Sequence, residues 1–511
     1  MAAVPHYVAT AHGQVLVWTA GAGRPALVLP GLVLAASVVA EQVAQAAPDL
    51  AWHVIELPGT GGSAGVPVEM AGAAIDEAAR AMGLAAAPML ACDLAAALGM
   101  DRAGPVLAVD AARARGWAER GTAPAELTPR GDGTHLTALW AHLRDAHVLD
   151  PADPMRAAQS GAALPTAAEL DATLVVCAAR PGAYHALWRA CLTQAATLAG
   201  PATLPDAITR LRALPGPARA DIPLTPPGHE AWCDHADLPH GRAHLWRAGT
   251  TGRALFALHS APGSAAPLGP LLHGLARGRR VVAPDYLGNG RSSKPARPVD
   301  INRLARDVLD LADVLGFDDF DLWGTHTGAL IALETALIAP ERVGRLVLEA
   351  PPLLPPAFTA DILANYLPKL RPDGWGLHVQ QAWNMRRDMF LFWPWYRAER
   401  SAVRPLQLPD AAFLHAWTIG LLQSGTTYDL SYRAAFEYDT QRRLPLLRRP
   451  ALVCAGPSDM LADGLAKAKS LAPDHVTVAT TPATVWYPNQ TRRDVEATLR
   501  IYDEFLAADR P

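Results

Sequence analysis

The chain has 511 residues, of which half are hydrophobic and 18% charged, with a formal net charge of −4. That length implies two or more domains, each with enough apolar material to bury a core. The balance excludes a disordered chain and leaves no basic footprint for nucleic acid. The five cysteines (Cys92, Cys177, Cys191, Cys233 and Cys454) form no C-x-x-C pair and leave one over, which fits a reducing cytoplasm. Cys92, Cys177 and Cys454 fall in apolar runs that read as strands.

In chain order, the opening MAAVPHYVAT lacks the charged and apolar regions of a secretory signal. Ala26 to Ala40 is apolar, but it is too short to span a bilayer and Pro30-Gly31 interrupts it. A strand, a turn and a helix start are predicted there, with no membrane association.

The chain then repeats itself. His12-Gly13 and Trp18-Thr19-Ala20-Gly21 return at the same spacing as His240-Gly241 and Trp246-Arg247-Ala248-Gly249. Glu56 to Ser63 answers Asp285 to Ser292. His135, Trp140, Arg144 and Asp145 match His378, Trp383, Arg387 and Asp388, while Val176-Cys177-Ala178 answers Val453-Cys454-Ala455. So many matches in one order predict an internal duplication into tandem domains. A Pro/Gly-rich stretch from Leu214 to Gly228 reads as the linker, giving domains of 1–220 and 221–511. In the second half, Ala254–Leu258, Val281–Ala283, Phe320–Trp323, Leu346–Leu348 and Ala451–Cys454 read as strands with helices between them. Continuous apolar strands alternating with helices predict an α/β fold: a mostly parallel sheet covered on both faces, with its site beyond the strands' carboxyl ends.

Four segments of the second half resemble the α/β-hydrolase superfamily, in family order. His259 to Ser264 looks like the oxyanion turn, and Asp285 to Ser292 like the D-x-x-G-x-G-x-S loop. Gly324-Thr325-His326-Thr327-Gly328 sits as the nucleophile elbow does, between an apolar strand and a helix. Ala455 to Asp459 looks like the turn that carries the triad acid. The first half resembles the same fold more faintly. The resemblance implies two tandem α/β-hydrolase-fold domains, with a cap at about 354–445 in the second.

The departures bear on chemistry. The elbow residue is His326, and Thr481 to Pro488 lacks the histidine that the family carries near its end. Only Asp459 remains of the usual triad. In the first half the elbow reads Ala91-Cys92-Asp93-Leu94-Ala95, with alanines for glycines. Asp93 matches the nucleophile of the dehalogenase and epoxide-hydrolase branches, but no histidine stands near Pro201–Ala207 and Gly182 occupies the acid's place. This half reads as a degenerate copy.

The leading expectation is an enzyme of the superfamily that acts on a small hydrophobic carbonyl or ester compound without a serine at the elbow. His326 would be base or nucleophile, oriented by Asp459 or Glu349, with the backbone N–H groups of Ser260 and Thr327 as oxyanion donors. Hydrolysis, C–C cleavage and a cofactor-free lyase or isomerase reaction all stay open. The alternatives are an inactive pseudo-hydrolase that binds or scaffolds, and a hydrolase working through Asp93. His378, in the expected cap, has two readings: a pocket residue or a structural histidine. Arg386 has no first-half counterpart and could meet an anionic substrate group. Trp383 shares the cap with the aromatic run Met389 to Tyr396, whose Trp393 and Trp395 read as pocket wall or interface. His259, His326, His378, Asp285 and Glu349 match no ligand spacing, so neither metal nor cofactor is expected. A small-molecule substrate is the expected partner, and a homo-oligomer stays open.

Overall fold

The computed structural model describes residues 2–99, 102–151, 153–158, 163–201, 203–223 and 231–508. The chain divides into two compact units, Met1–Pro226 with Pro372–Gln380, and Pro227–Arg371 with Gln381–Pro511. The segment expected as cap of the second domain is therefore divided, because Pro372–Gln380 belongs to the first unit.

The first unit holds β1 (Val4–Thr10), β2 (Gly13–Gly21), β3 (Arg24–Leu29), β4 (Leu50–Ile55), β5 (Met89–Cys92) and β6 (Val106–Val109), in the order β1-β2-β4-β3-β5-β6. β1, β2 and β4 pair antiparallel, and β4, β3, β5 and β6 run parallel. A separate antiparallel pair follows, β7 (Leu149–Asp150) and β8 (Asp153–Ala157).

The second unit holds β9 (Trp232–Leu238), β10 (Gly241–Ala248), β11 (Arg253–Leu258), β12 (Arg279–Pro284), β13 (Phe320–Thr325), β14 (Val343–Glu349), β15 (Ala451–Ala455) and β16 (Val476–Thr480). Their order is β9-β10-β12-β11-β13-β14-β15-β16. Its first six strands repeat the order and the orientations of the first sheet.

The first sheet stops at its sixth strand, and the run read as a strand around Val176 is helix Ala167–Ala178. A capping box decides this. Thr166 accepts from the Glu169 N–H, and the Glu169 side chain accepts from the Thr166 N–H, which satisfies two donors of the first turn. Cys177 is thus a buried helical thiol, whereas Cys92 and Cys454 lie in strands.

The core of the second unit shows why its central strands read as unbroken apolar runs. Phe256, Leu322, Leu348 and Val453 of four neighbouring parallel strands meet Leu304, Val308 and Leu311 of helix Ile301–Val314, and Leu330 and Leu333 of helix Thr327–Ile338. Helix Arg492–Ala507 packs against β14 and against helix Gly269–Leu275. A sheet buried on both faces can present polar residues only at its ends.

Candidate active site

The parallel register brings three chain turns to one edge. Leu258 pairs with Gly324, Thr325 with Glu349, and Glu349 with Cys454. The residues just beyond these strand ends are therefore neighbours: His259 and Ser260 after β11, His326 after β13, and the Gly456–Asp459 turn after β15.

The elbow requires its glycines. A Cβ on Gly328 would lie 2.0 Å from the Leu258 carbonyl oxygen, and one on Gly324 would lie 2.2 Å from the Gly328 oxygen. Strand and helix approach too closely for any side chain. Between them His326 takes φ +50°, ψ −113°, a strained conformation for a non-glycine residue. Its N–H donates to the Glu349 carbonyl at 2.9 Å. The strain throws the imidazole out from the sheet's edge.

There the ring meets Asp459. Nε2 lies 3.0 and 2.9 Å from the two carboxylate oxygens. Asp459 also accepts from the Leu461 N–H at 2.9 Å and from the Thr484 hydroxyl at 3.3 Å. Nδ1 lies 3.4 Å from Ser260 Oγ, and the ring stands edge-on to Trp486 with centroids 5.4 Å apart. Both partners are buried. Burial by itself pulls the imidazole pKa down, but the Asp459 charge and hydrogen bond outweigh it and the net shift is upward. For Asp459, burial is the largest single influence and pushes up, but the His326 charge and hydrogen bond, with the Leu461 N–H and the Arg404 charge, together bring the carboxyl below its usual range. The two directions agree: each partner favours the other's charged form across the hydrogen bond.

Glu349 ends β14 behind this pair. It accepts from the Trp486 indole N–H at 3.0 Å and the Tyr502 hydroxyl at 2.6 Å. Full burial pushes its carboxyl up to about 7, against the Tyr502 hydrogen bond. Its carboxyl is engaged by Trp486 and Tyr502 and acts on the imidazole through charge, whereas Asp459 makes the contact.

Arg386 is buried beside the oxyanion-type turn. Its Nη2 donates to the Pro262 carbonyl at 2.6 Å, and the guanidinium carbon lies 4.1 Å from the Trp417 ring centroid. Nε has no hydrogen-bond partner, and no carboxylate among the described residues pairs with this cation. Burial lowers its pKa to about 10, while Tyr432, Tyr366 and Tyr428 favour the charge. A buried cation without a counter-ion is costly unless something anionic joins it.

The other sequence-derived candidates fall elsewhere. His378 lies in the first unit, not with His326. Its Nε2 lies 2.9 Å from Asp171 and its Nδ1 3.3 Å from Asp373, and the ring stands edge-on to Trp140 at 4.9 Å. The Asp373 N–H also approaches Nδ1 at 3.4 Å, as the Arg130 N–H approaches Nδ1 of the matching His135 at 3.2 Å. Both histidines thus brace the start of a helix, the structural reading of the pair. Trp383 is buried, and Trp393 and Trp395 are partly buried against Tyr366 at 5.8 and 6.0 Å. The Trp395 indole donates to the Tyr366 carbonyl at 3.2 Å. Thr327 is buried at the first turn of the elbow helix, and Ser260 is partly exposed.

Asp93 occupies the equivalent elbow of the first sheet, at φ +41°. Its carboxylate accepts from the Leu32 N–H at 3.2 Å, and burial pushes its pKa up to about 7. The adjoining hollow, lined by Gly31, Leu32, Cys177 and Tyr184 among others, holds about 10 Å³, no more than one water. Asp285 holds its own turn together, accepting from the Ala265 and Arg291 N–H groups at 2.7 and 2.9 Å and pairing with His244 at 3.0 Å. Among the described residues no metal-binding cluster forms, and no helix is long and apolar enough to cross a membrane. A cavity of about 530 Å³ beside helix Pro356–Asn365 includes none of the residues above.

Sequence reasoning did not find Thr484, Trp486 or Tyr502. The first two lie in Thr481–Pro488, where the resemblance implies a histidine, and only its absence marks that segment.

Residues 253–482 match the family model described as alpha/beta hydrolase fold. A RutD protein of Azorhizobium caulinodans, named as a carbamate hydrolase, is 28% identical over 42% of this chain and 80% of its own length. A haloalkane dehalogenase of Mycolicibacterium paratuberculosis is 40% identical over 18% of this chain, and a 2-hydroxymuconate semialdehyde hydrolase of Pseudomonas putida 41% identical over 17%. The chain spans only 34% and 32% of those two relatives. Together these findings support an alpha/beta hydrolase assignment for the second half.

Proposed function

We propose that the second unit is a hydrolase-like enzyme acting on a small, largely hydrophobic ester or carbonyl compound, with His326 as its base. The observation that carries this is the His326–Asp459 pair. A carboxylate on Nε2 fixes the ring and leaves Nδ1 to take a proton from water or substrate. The N–H groups of Ser260 and Thr327 are the proposed oxyanion donors. Arg386 would meet an anionic group on the substrate, and Trp393 and Trp395 stiffen the cap through Tyr366. Relatives named for a carbamate, a haloalkane and a semialdehyde support a small-molecule substrate.

The first unit is proposed as a divergent copy of the same fold. Its six strands in the same order support the duplication, and its filled elbow supports the loss of chemistry there. Neither metal nor cofactor enters this reading.

His326→Ala should lower turnover of 4-nitrophenyl acetate by about 100-fold or more, the usual loss of a general base, with the circular-dichroism spectrum unchanged. Wild-type turnover in that variant would remove the assignment.

A further inference from the structure

The tautomer of His326 follows from its partners. Both oxygens facing Nε2 belong to a carboxylate that accepts a hydrogen bond from the Leu461 N–H, so Nε2 carries the proton. In the neutral ring the basic nitrogen is then Nδ1. Its nearest polar neighbour is the Ser260 hydroxyl at 3.4 Å, a separation that resting sites often show before a ligand tightens them. Ser260 is partly exposed while His326 and Asp459 are buried, so the hydroxyl is the member of the three that a substrate can reach. The Ser260 proton has one other acceptor, the Ala261 carbonyl at 3.2 Å. Rotation of the O–H about Cβ–Oγ would redirect it from one to the other.

We infer that Ser260, His326 and Asp459 form a relocated serine–histidine–aspartate triad, in which the nucleophile has moved from the elbow to the turn after β11 and the histidine occupies the elbow. The inference rests on the reading of His326 as base and names the group that it deprotonates. The substrate class is a small carboxylic ester. Ser260 Oγ bonds to the acyl carbon as its proton passes to Nδ1. The tetrahedral oxyanion collapses, the alcohol's C–O bond breaks, and the leaving oxygen takes the proton from Nδ1. Water then attacks the acyl-Ser260 ester, giving its proton to Nδ1, and Oγ leaves with that proton. Acid and alcohol are released, and no oxidant or cofactor is consumed. The Thr327 N–H lies at the elbow to receive the oxyanion, and the nucleophile's own N–H can serve as second donor, as in serine proteases.

The test labels the full chain with a fluorophosphonate probe at pH 8, locates the adduct by peptide mass spectrometry, and measures 4-nitrophenyl acetate turnover in parallel. Expected is one adduct on Ser260, absent from Ser260→Ala and at least 100-fold slower to form in His326→Ala. Ser260→Ala should lose turnover by a similar factor. Ser260→Cys gives an independent readout, since its thiol should react with iodoacetamide faster than a free cysteine thiol and lose that advantage in the Ser260→Cys/His326→Ala double variant. No adduct at Ser260, or wild-type turnover in Ser260→Ala, overturns the triad. If His326→Ala nevertheless loses turnover, the base reading survives; if both variants retain it, both readings fall.

Discussion

Asp459→Asn should reverse the direction in which His326 is shifted. Two opposed effects act on the imidazole: burial, the larger single one, disfavours the cation, and Asp459 restores it by charge and hydrogen bond together. Asparagine keeps the shape and removes the charge. Its Oδ1 can still accept from the Leu461 N–H, which turns the amide nitrogen toward Thr484 and Nε2. Burial then governs, with only the more distant Glu349 opposing it, and the midpoint should move from above the ordinary 6.5 to below it. Breaking a buried pair by removing one partner costs about 3–5 kcal/mol. The lower end, about 3 kcal/mol, is expected here because the histidine can relieve its unpaired charge by losing a proton. The sign with pH follows from both shifts. His326, raised, contributes stability that is present below 6.5 and lost as pH rises through its folded value. Asp459, lowered, contributes stability that is present above 3.8 and lost as pH falls through its folded value. The variant's deficit should therefore peak between about pH 4 and 6.5. NMR titration of the His326 Hε1 resonance, with urea denaturation at pH 6, measures both quantities. A midpoint in the variant at or above the wild-type one, or superimposed denaturation curves at pH 6, would refute the reasoning.

Arg386→Met should raise KM for 4-nitrophenyl hemisuccinate, which carries a free carboxylate, by about 10- to 100-fold, the worth of a hydrogen bond to a charged group. KM for 4-nitrophenyl acetate should hold, and so should the thermal midpoint, because an unpaired buried cation leaves the core; equal losses on both esters would remove the anion contact. Asp93→Asn should flatten a pH dependence of the first unit. With its carboxyl raised from 3.8 to about 7, the folded unit holds a proton that the unfolded chain releases, so about 4 kcal/mol of stability is lost as pH climbs across that interval. Denaturation midpoints that fall equally from pH 5 to pH 8 in both proteins would contradict this.

What the sequence discloses depends on whether a feature is local. Gly324 and Gly328 are required because a Cβ on either would fall about 2 Å from a backbone oxygen, so the elbow is visible in five residues. Asp459 sits on a turn whose spacing survives. The strand read at Val176 failed because an apolar run does not distinguish strand from helix, although Thr166 and Glu169 marked the helix start. His378 carried two readings in the sequence, and its match with His135 corresponds to a similar contact at the start of each helix, a backbone N–H facing Nδ1. Arg386 was noticed only for lacking a counterpart. That it is buried against Pro262 and Trp417 without a carboxylate depends on residues far apart in the chain. Trp486 was invisible on the same ground, since its donation to Glu349 and Thr325 joins three separate strand ends and turns.

In the proposed triad the histidine at the elbow takes the place of the one missing near the chain end. The segment expected to supply it delivers Thr484 to Asp459 and sets Trp486 edge-on to His326. A serine at 326 is too short to span to Asp459, whereas the imidazole does so directly at 2.9 Å. Part of this arrangement has a purely structural use, because Asp459 is a buried carboxylate and any cationic donor at 326 would stabilise it. A counter-ion alone, however, needs only Nε2. In a dry core its second nitrogen would be capped by a fixed acceptor or packed against apolar atoms. Nδ1 faces neither. It is aimed at a partly exposed serine hydroxyl, on the turn whose N–H is a proposed oxyanion donor, and that direction argues for chemistry over salvage.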